Sequence, residues 1–182
     1  KLLKNVIKKN DTIIDCGSNF GLFSLLACYL SGSDGKVYAF DASKETCDSL
    51  NENKRLNRFS NLNVNHYALS DKSMQEVEFY GGSGGGTIIK DNPLYNTQNF
   101  SQKVNTISLD DFFADKKIQN LKLIKIDVEG SEYFVLKGMK ELIKRNPNTI
   151  ITFELTKKSM EPAGYNIHDI VRELKELRMD YM

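Results

Sequence analysis

Apolar and β-branched runs alternate along this chain with stretches whose apolar residues recur at helical spacing. A continuous apolar run marks a strand covered on both faces, and the helical stretches between such runs supply the cover. Strands are predicted over residues 12–16, 36–40, 62–67, 121–127 and 149–154, and helices over 20–30, 44–56, 132–145 and 166–177. The apolar set Leu22, Leu25, Leu26, Tyr29 and Leu30 is expected to bury the first of these helices. Ile167, Ile170, Val171, Leu174 and Leu177 do the same for the last. This alternation implies an α/β architecture, a mostly parallel central sheet with helices on both faces. Between the third and fourth strands the order breaks. Residues 68–71 read as a turn, and strands over 77–80 and 104–107 flank a polar excursion containing Gly81-Gly82-Ser83-Gly84-Gly85-Gly86, a flap or an antiparallel insertion.

Size and charge narrow the picture. A chain of 182 residues with 40% hydrophobic residues can bury one core, so a single domain over 1–182 is expected. The near balance of 25 basic and 24 acidic residues creates no field toward nucleic acid or an acidic membrane; a small-molecule or glycan partner is expected, and nucleic acid is not. Cys16, Cys28 and Cys47 show no CxxC spacing and fit a reducing, cytoplasmic setting. No apolar stretch approaches membrane-spanning length. The chain opens on Lys1 without a leader-like segment and reads as an excerpt of something longer.

Asp15-Cys16-Gly17-Ser18-Asn19-Phe20-Gly21 joins the first strand to its helix, where α/β folds hold ligands. Gly17 and Gly21 permit a tight turn and a close backbone approach. The segment is not the GxGxxG of a pyrophosphate site, and no Lys-Ser/Thr pair follows it to hold a triphosphate. Asp15 at a strand tip would repel a pyrophosphate and suits a cationic amino-acid ligand; S-adenosylmethionine carries both an ammonium and a sulfonium. Asp41 ends the second strand about 20 residues later, where a carboxylate accepts ribose hydroxyls from such a ligand or equally from NAD. Asp127, Glu129 and Glu132 crowd the end of the fourth strand, and carboxylates gathered there suggest a polar site on the same crevice as Asp15. Ser131 and Glu132 also suit helix capping. His66 falls inside a strand and His168 on the last helix, so neither reads as a base, and no metal-ligand spacing is present.

In this order the segments resemble the FkbM family of methyltransferases. The resemblance rests on five blocks: residues 15–21, Asp41, Ala68-Leu69-Ser70-Asp71, Ser108-Leu109-Asp110-Asp111-Phe112 and Lys125-Ile126-Asp127-Val128-Glu129-Gly130-Ser131-Glu132. Ser18 stands where the family usually has alanine, Asp41-Ala42 where it more often has Glu-Pro, and Met182 comes before the usual final antiparallel strand pair. The resemblance implies a Rossmann-like class I methyltransferase fold lacking that C-terminal strand pair. It also implies S-adenosylmethionine as cofactor and in-line methyl transfer to a hydroxyl of a sugar, glycan or other small molecule. Asp15, Gly17, Ser18, Asn19 and Gly21 are then expected to hold the methionine part, Asp41 the ribose, and Ala68 and Leu69 the adenine. Asp127 is the first candidate for the base that deprotonates the acceptor, and Glu129 the second. Tyr80, the glycine run and Tyr95 are expected to cover the acceptor.

Two other functions use such a fold. An NAD-dependent oxidoreductase or epimerase wants a Tyr-x-x-x-Lys pair or a catalytic histidine near the sheet's switch point. A non-catalytic interaction module would not need the motifs to be intact.

Overall fold

A computed structural model describes residues 2–82, 84–95, 101–177 and 179. β1 (Thr12–Cys16), β2 (Lys36–Asp41), β3 (Leu62–His66), β8 (Leu121–Ile126) and β9 (Ile150–Phe153) form a parallel sheet in the order β3-β2-β1-β8-β9. The chain enters at the centre, builds outward to β3, then returns to the other side of β1, which puts the switch point between β1 and β8. Helices α1 (Leu2–Val6), α2 (Leu22–Ser31) and α3 (Lys44–Asn57) cover one face around Ile13, Val37, Ala39, Leu50 and Leu123. On the other face α4 (Leu109–Phe112), α5 (Glu132–Lys137), α6 (Lys140–Arg145) and α8 (Ile167–Glu176) pack around Ile14, Phe40, Ile124 and Ile126. Neighbouring strand residues serve opposite layers, so Asp15 and Lys125, in step with Ile13 and Leu123, point toward α2. Among the described residues β9 is an edge strand, and no helix is long and apolar enough to cross a membrane.

The excursion is an antiparallel insertion. β5 (Glu76–Gly82), β6 (Gly85–Thr87) and β7 (Ser101–Ile107) join β4 (Ala68–Leu69) in a second sheet ordered β4-β7-β5-β6. The expected turn at 68–71 thus begins as a short strand, Ala68 and Leu69 pairing in parallel with Thr106 and Ile107. Ser83 of the glycine run lies outside the described residues.

Two further expectations are corrected. The apolar set of α2 is split: Leu22, Leu26 and Tyr29 are exposed, Leu25 and Leu30 pack half-buried against the core, and Ser24, Ala27, Cys28 and Ser31 are buried. Small side chains let this helix lie close on the sheet, and Ser24 donates to Asp15, a polar attachment that a hydrophobicity pattern does not register. The helix over 132–145 is two helices, broken where Gly138 packs on the preceding turn; a Cβ there would stand 2.2 Å from the Ser70 carbonyl. The Asp110 carboxylate starts the second, α6, by accepting from the Glu141 and Leu142 N–H groups. Finally, α1, α4 and a one-turn helix α7 (Lys157–Met160) were not predicted, all too short to show a period.

Candidate active site

The C-terminal ends of β1, β2 and β8 open into a crevice of about 700 Å³ including its mouth. Gly17, Asn19, Asp41, Ala68 and Leu69 line one side, and Asp127, Val128, Glu129 and Ser131 line the other. The glycine turn is pinned from β2, because the Phe40 carbonyl accepts from both the Gly17 and Ser18 N–H groups at 2.9 Å. Gly17 has φ +78°, and a Cβ there would fall 1.8 Å from the Asp127 carbonyl oxygen. Only glycine lets the turn and the Asp127 backbone approach this closely.

Asp41 holds its place through donors on two elements. Oδ2 accepts from the Asn19 N–H at 2.8 Å; Oδ1 accepts from the Ser43 N–H at 2.8 Å and the Thr46 hydroxyl at 3.1 Å. The carboxylate therefore ties the turn to the start of α3 and still presents a lone pair of Oδ2 to the crevice. Beside it, Ala42, Ala68, Phe79 and Ile88 form an apolar wall suited to a flat heterocycle.

Asp15, Ser18 and Gly21 stand behind the crevice wall. Asp15 is fully buried, accepts from Ser24 at 2.6 Å and pairs with Lys125 at 3.5 Å. Burial pushes its carboxyl up to about 6, against the opposing pull of Lys125. Gly21 serves packing, since a Cβ would meet Leu50 at 2.0 Å. The Ser18 hydroxyl is buried without a partner.

The acidic block separates into three roles. Asp127 pairs with Lys125 at 2.9 Å. Glu132 is buried and turns back on its own loop: it accepts from the Val128 and Gly130 N–H groups and, at 2.7 Å, from the Tyr165 hydroxyl. It caps the loop and does not reach the crevice. Glu132→Ala strands those three donors and is expected to cost about 3 kcal/mol of stability, measurable by urea unfolding. Glu129 stands at the lip with φ +54°, a left-handed conformation that a glutamate adopts only when its surroundings enforce it. Here they do: its carbonyl accepts from Thr87 at 2.7 Å and Asn92 at 3.0 Å, both in the insertion. Its carboxylate accepts from the Tyr95 hydroxyl. Burial, followed by the charges of Asp127, Glu132 and Glu154, raises the Glu129 carboxyl above its ordinary range, and the Tyr95 bond only partly offsets this. Tyr95 is raised in turn by burial and by Glu129.

The crevice fits an adenosylated amino acid. The Ser131 hydroxyl is buried at its wall without a partner, the Gly17 cradle has no room for a side chain, and the apolar wall lies next to the free lone pair of Asp41. Sequence reasoning gave no role to Lys125, Ser43 or Thr46, which orient the acids. Only the N-cap position of Ser43, next to Asp41, offered a signal. Tyr80 donates to Glu78, while Gly84, Gly85 and Gly86 do line the crevice. His66 contacts the Ala42 carbonyl at 2.9 Å, and His168 is exposed. The chain's Tyr-x-x-x-Lys spacing, Tyr133 to Lys137, is engaged elsewhere: Tyr133 stacks on Tyr165 and Lys137 pairs with Asp71 at 3.0 Å.

Comparison with known proteins agrees with this geometry. The model of the methyltransferase FkbM domain matches residues 15–181. A hexuronic acid methyltransferase of Haloferax volcanii, AglP, is 27% identical over 189 aligned positions, covering 98% of this chain and 67% of its own. Among solved structures, methyltransferase FkbM from Methylobacillus flagellatus KT superposes with a TM-score of 0.60 at 17% identity, over 91% of this chain and 37% of that one. A Streptococcus mutans protein solved with S-adenosylhomocysteine superposes with a TM-score of 0.55 at 12% identity, over 96% of this chain and 77% of that one. At such identities the structural likenesses establish the class I methyltransferase fold. The family match decides the activity and sets aside the oxidoreductase alternative: this chain belongs to the FkbM family of S-adenosylmethionine-dependent methyltransferases.

Proposed function

We propose that the protein methylates a hydroxyl of a sugar or a similar small acceptor, with Asp41 and the glycine turn seating the donor and Glu129 taking the acceptor's proton. The observation that carries this reading is that Asp41, Ala68, Leu69, Asp127 and Glu129 share one crevice, whose lip carries a carboxylate of raised pKa. The donor supplies an electrophilic methyl on sulfur. Transfer breaks that carbon–sulfur bond as the acceptor oxygen forms a new one in line, and the hydroxyl proton passes to a base. Asp127 is held back by its 2.9 Å bond to Lys125, whereas Glu129 stands at the lip under the insertion, which makes Glu129 the better base. A raised pKa brings a carboxylate closer to the working pH of a general base, and the Tyr95 hydroxyl orients it. The insertion that holds Glu129 also roofs the crevice, so acceptor choice belongs to that segment. The hexuronic acid named for the Haloferax volcanii relative supports a carbohydrate acceptor.

Asp41→Ala removes the proposed ribose acceptor together with the tie between turn and helix. Affinity for S-adenosylhomocysteine is expected to fall by about 1–3 kcal/mol, roughly fivefold to 150-fold, by calorimetry. To test the function, labelled methyl transfer is measured from S-adenosylmethionine to a panel of hexopyranosides, hexuronic acids and ribosomal RNA. Base-stable methyl ethers on a sugar are the expected products. Label confined to RNA would refute the small-acceptor reading, and a base-labile ester as the sole product would refute the hydroxyl reading.

A further inference from the structure

The ammonium of Lys125 sits where three groups converge behind the crevice wall. β1 and β8 run parallel with Asp15 opposite Lys125, and both side chains leave the sheet on the α2 side. From there Nζ lies 3.5 Å from Asp15 Oδ1 and 2.9 Å from Asp127 Oδ2, and donates to the Gly17 carbonyl at 3.3 Å. The Phe23 ring of α2 closes the other side, its centroid 5.9 Å from Nζ. Exposure grades outward through the group, from none at Asp15 to 26% at the Asp127 side chain.

Two carboxylates and one ammonium leave a single negative charge. Asp15 is fully buried and bonded to Ser24, while Asp127 lines the crevice, so of the two acids that share Lys125 only Asp127 can offer the surplus charge to a ligand. We propose that Lys125 is a positioning residue of the donor site, binding Asp15, Asp127 and the Gly17 carbonyl into one unit so that Asp127, not Asp15, meets the donor's amino group. This rests on the reading of the crevice as the donor seat. It replaces the expectation that Asp15 grips the amino group directly.

The charges around the group make the consequence testable. Asp15 faces Lys125 and Asp127 from the β8 side and the Ser24 hydroxyl from α2, while the Cys16 thiol, next on its strand, lies in the opposite layer. Asp127 faces Lys125 and Asp15 behind it, and Glu129 and the Tyr95 hydroxyl at the lip. Burial pulls the Lys125 ammonium down, but Asp15 and Asp127 together hold it above the ordinary lysine range, so it stays charged. Without that cation the two acids repel, and near neutrality they share a proton at the expense of the charge offered to the donor.

The test is a calorimetric titration of the full chain with S-adenosylhomocysteine from pH 6 to pH 8. Lys125→Met is expected to weaken binding most at the acid end, the ratio of variant to wild-type Kd growing by up to about tenfold per pH unit of descent. Lys125→Arg keeps the cation and should restore the wild-type profile. Should Lys125→Met not fold, the double variant Lys125→Met/Asp15→Asn removes the buried charge along with its partner; it should fold, bind more weakly than wild type because the tie to Asp127 and the Gly17 carbonyl is gone, and show no extra loss at the acid end. The proposal is overturned if Lys125→Met binds as wild type throughout, if its loss is the same at every pH and arginine does not rescue it, or if the double variant shows the same growing loss at the acid end. Wild-type protein that binds no S-adenosylhomocysteine would instead overturn the donor-seat reading on which the proposal stands.

Discussion

Replacing Glu129 with glutamine is expected to lower kcat for methyl transfer by about 10²–10⁴-fold, the usual contribution of a positioned base. The amide keeps the shape of the side chain and can still hydrogen-bond Tyr95, so the strained loop and the donor seat survive. S-adenosylhomocysteine affinity should therefore stay near the wild-type value. The pH profile carries the same claim. A base must be ionised to act, and the Glu129 carboxyl is raised by burial and by its acidic neighbours, so kcat should fall with decreasing pH above the range of an ordinary glutamate. Glu129→Gln removes that limb. A variant with wild-type kcat would return the role of base to Asp127, and Asp127→Asn would then show the loss.

Gly17→Ala is the second large effect, and it is structural in origin. The backbone at Gly17 is left-handed, a conformation alanine resists, and the added methyl group lands 1.8 Å from the Asp127 carbonyl oxygen, so the β1 turn and the β8 loop must part. Strain and overlap together are expected to cost roughly 2–5 kcal/mol of stability. Both walls of the crevice depend on that contact, so S-adenosylhomocysteine binding should be lost even below the melting temperature. Binding retained at full strength would show that the crevice tolerates a wider turn than the donor seat proposed for it.

The parallel sheet and its order of helices were legible because short runs rich in apolar residues, as in 12–16 and 36–40, alternate with helical stretches, and such runs belong inside α/β layers; 62–66 shows itself instead by alternation. The glycine turn, Asp41 and the acidic block were legible for another reason, since their residue types are costly to place at a strand end without a polar site. What escaped was set by tertiary contact. α2 buries its serines because Asp15 lies beneath it, and the 132–145 helix breaks because Gly138 meets the Ser70 carbonyl. Glu132, read with the other acids as part of the site, is held by its own loop and Tyr165, a partner 33 residues away in the chain. Lys125 was hidden in a strand pattern, where a lysine reads as a solvent-facing residue. Its partner Asp15 is adjacent only once β1 and β8 pair.

The central claim is that the donor lies in this crevice with its ribose on Asp41 and its sulfur turned toward Glu129. A crystal structure of the protein with S-adenosylhomocysteine tests it most directly. The account predicts ribose hydroxyls within hydrogen-bond distance of the Asp41 carboxylate, the adenine against Ala68 and Leu69, and the amino group on Asp127. A ligand seated elsewhere, or one whose ribose makes no contact with Asp41, would contradict it.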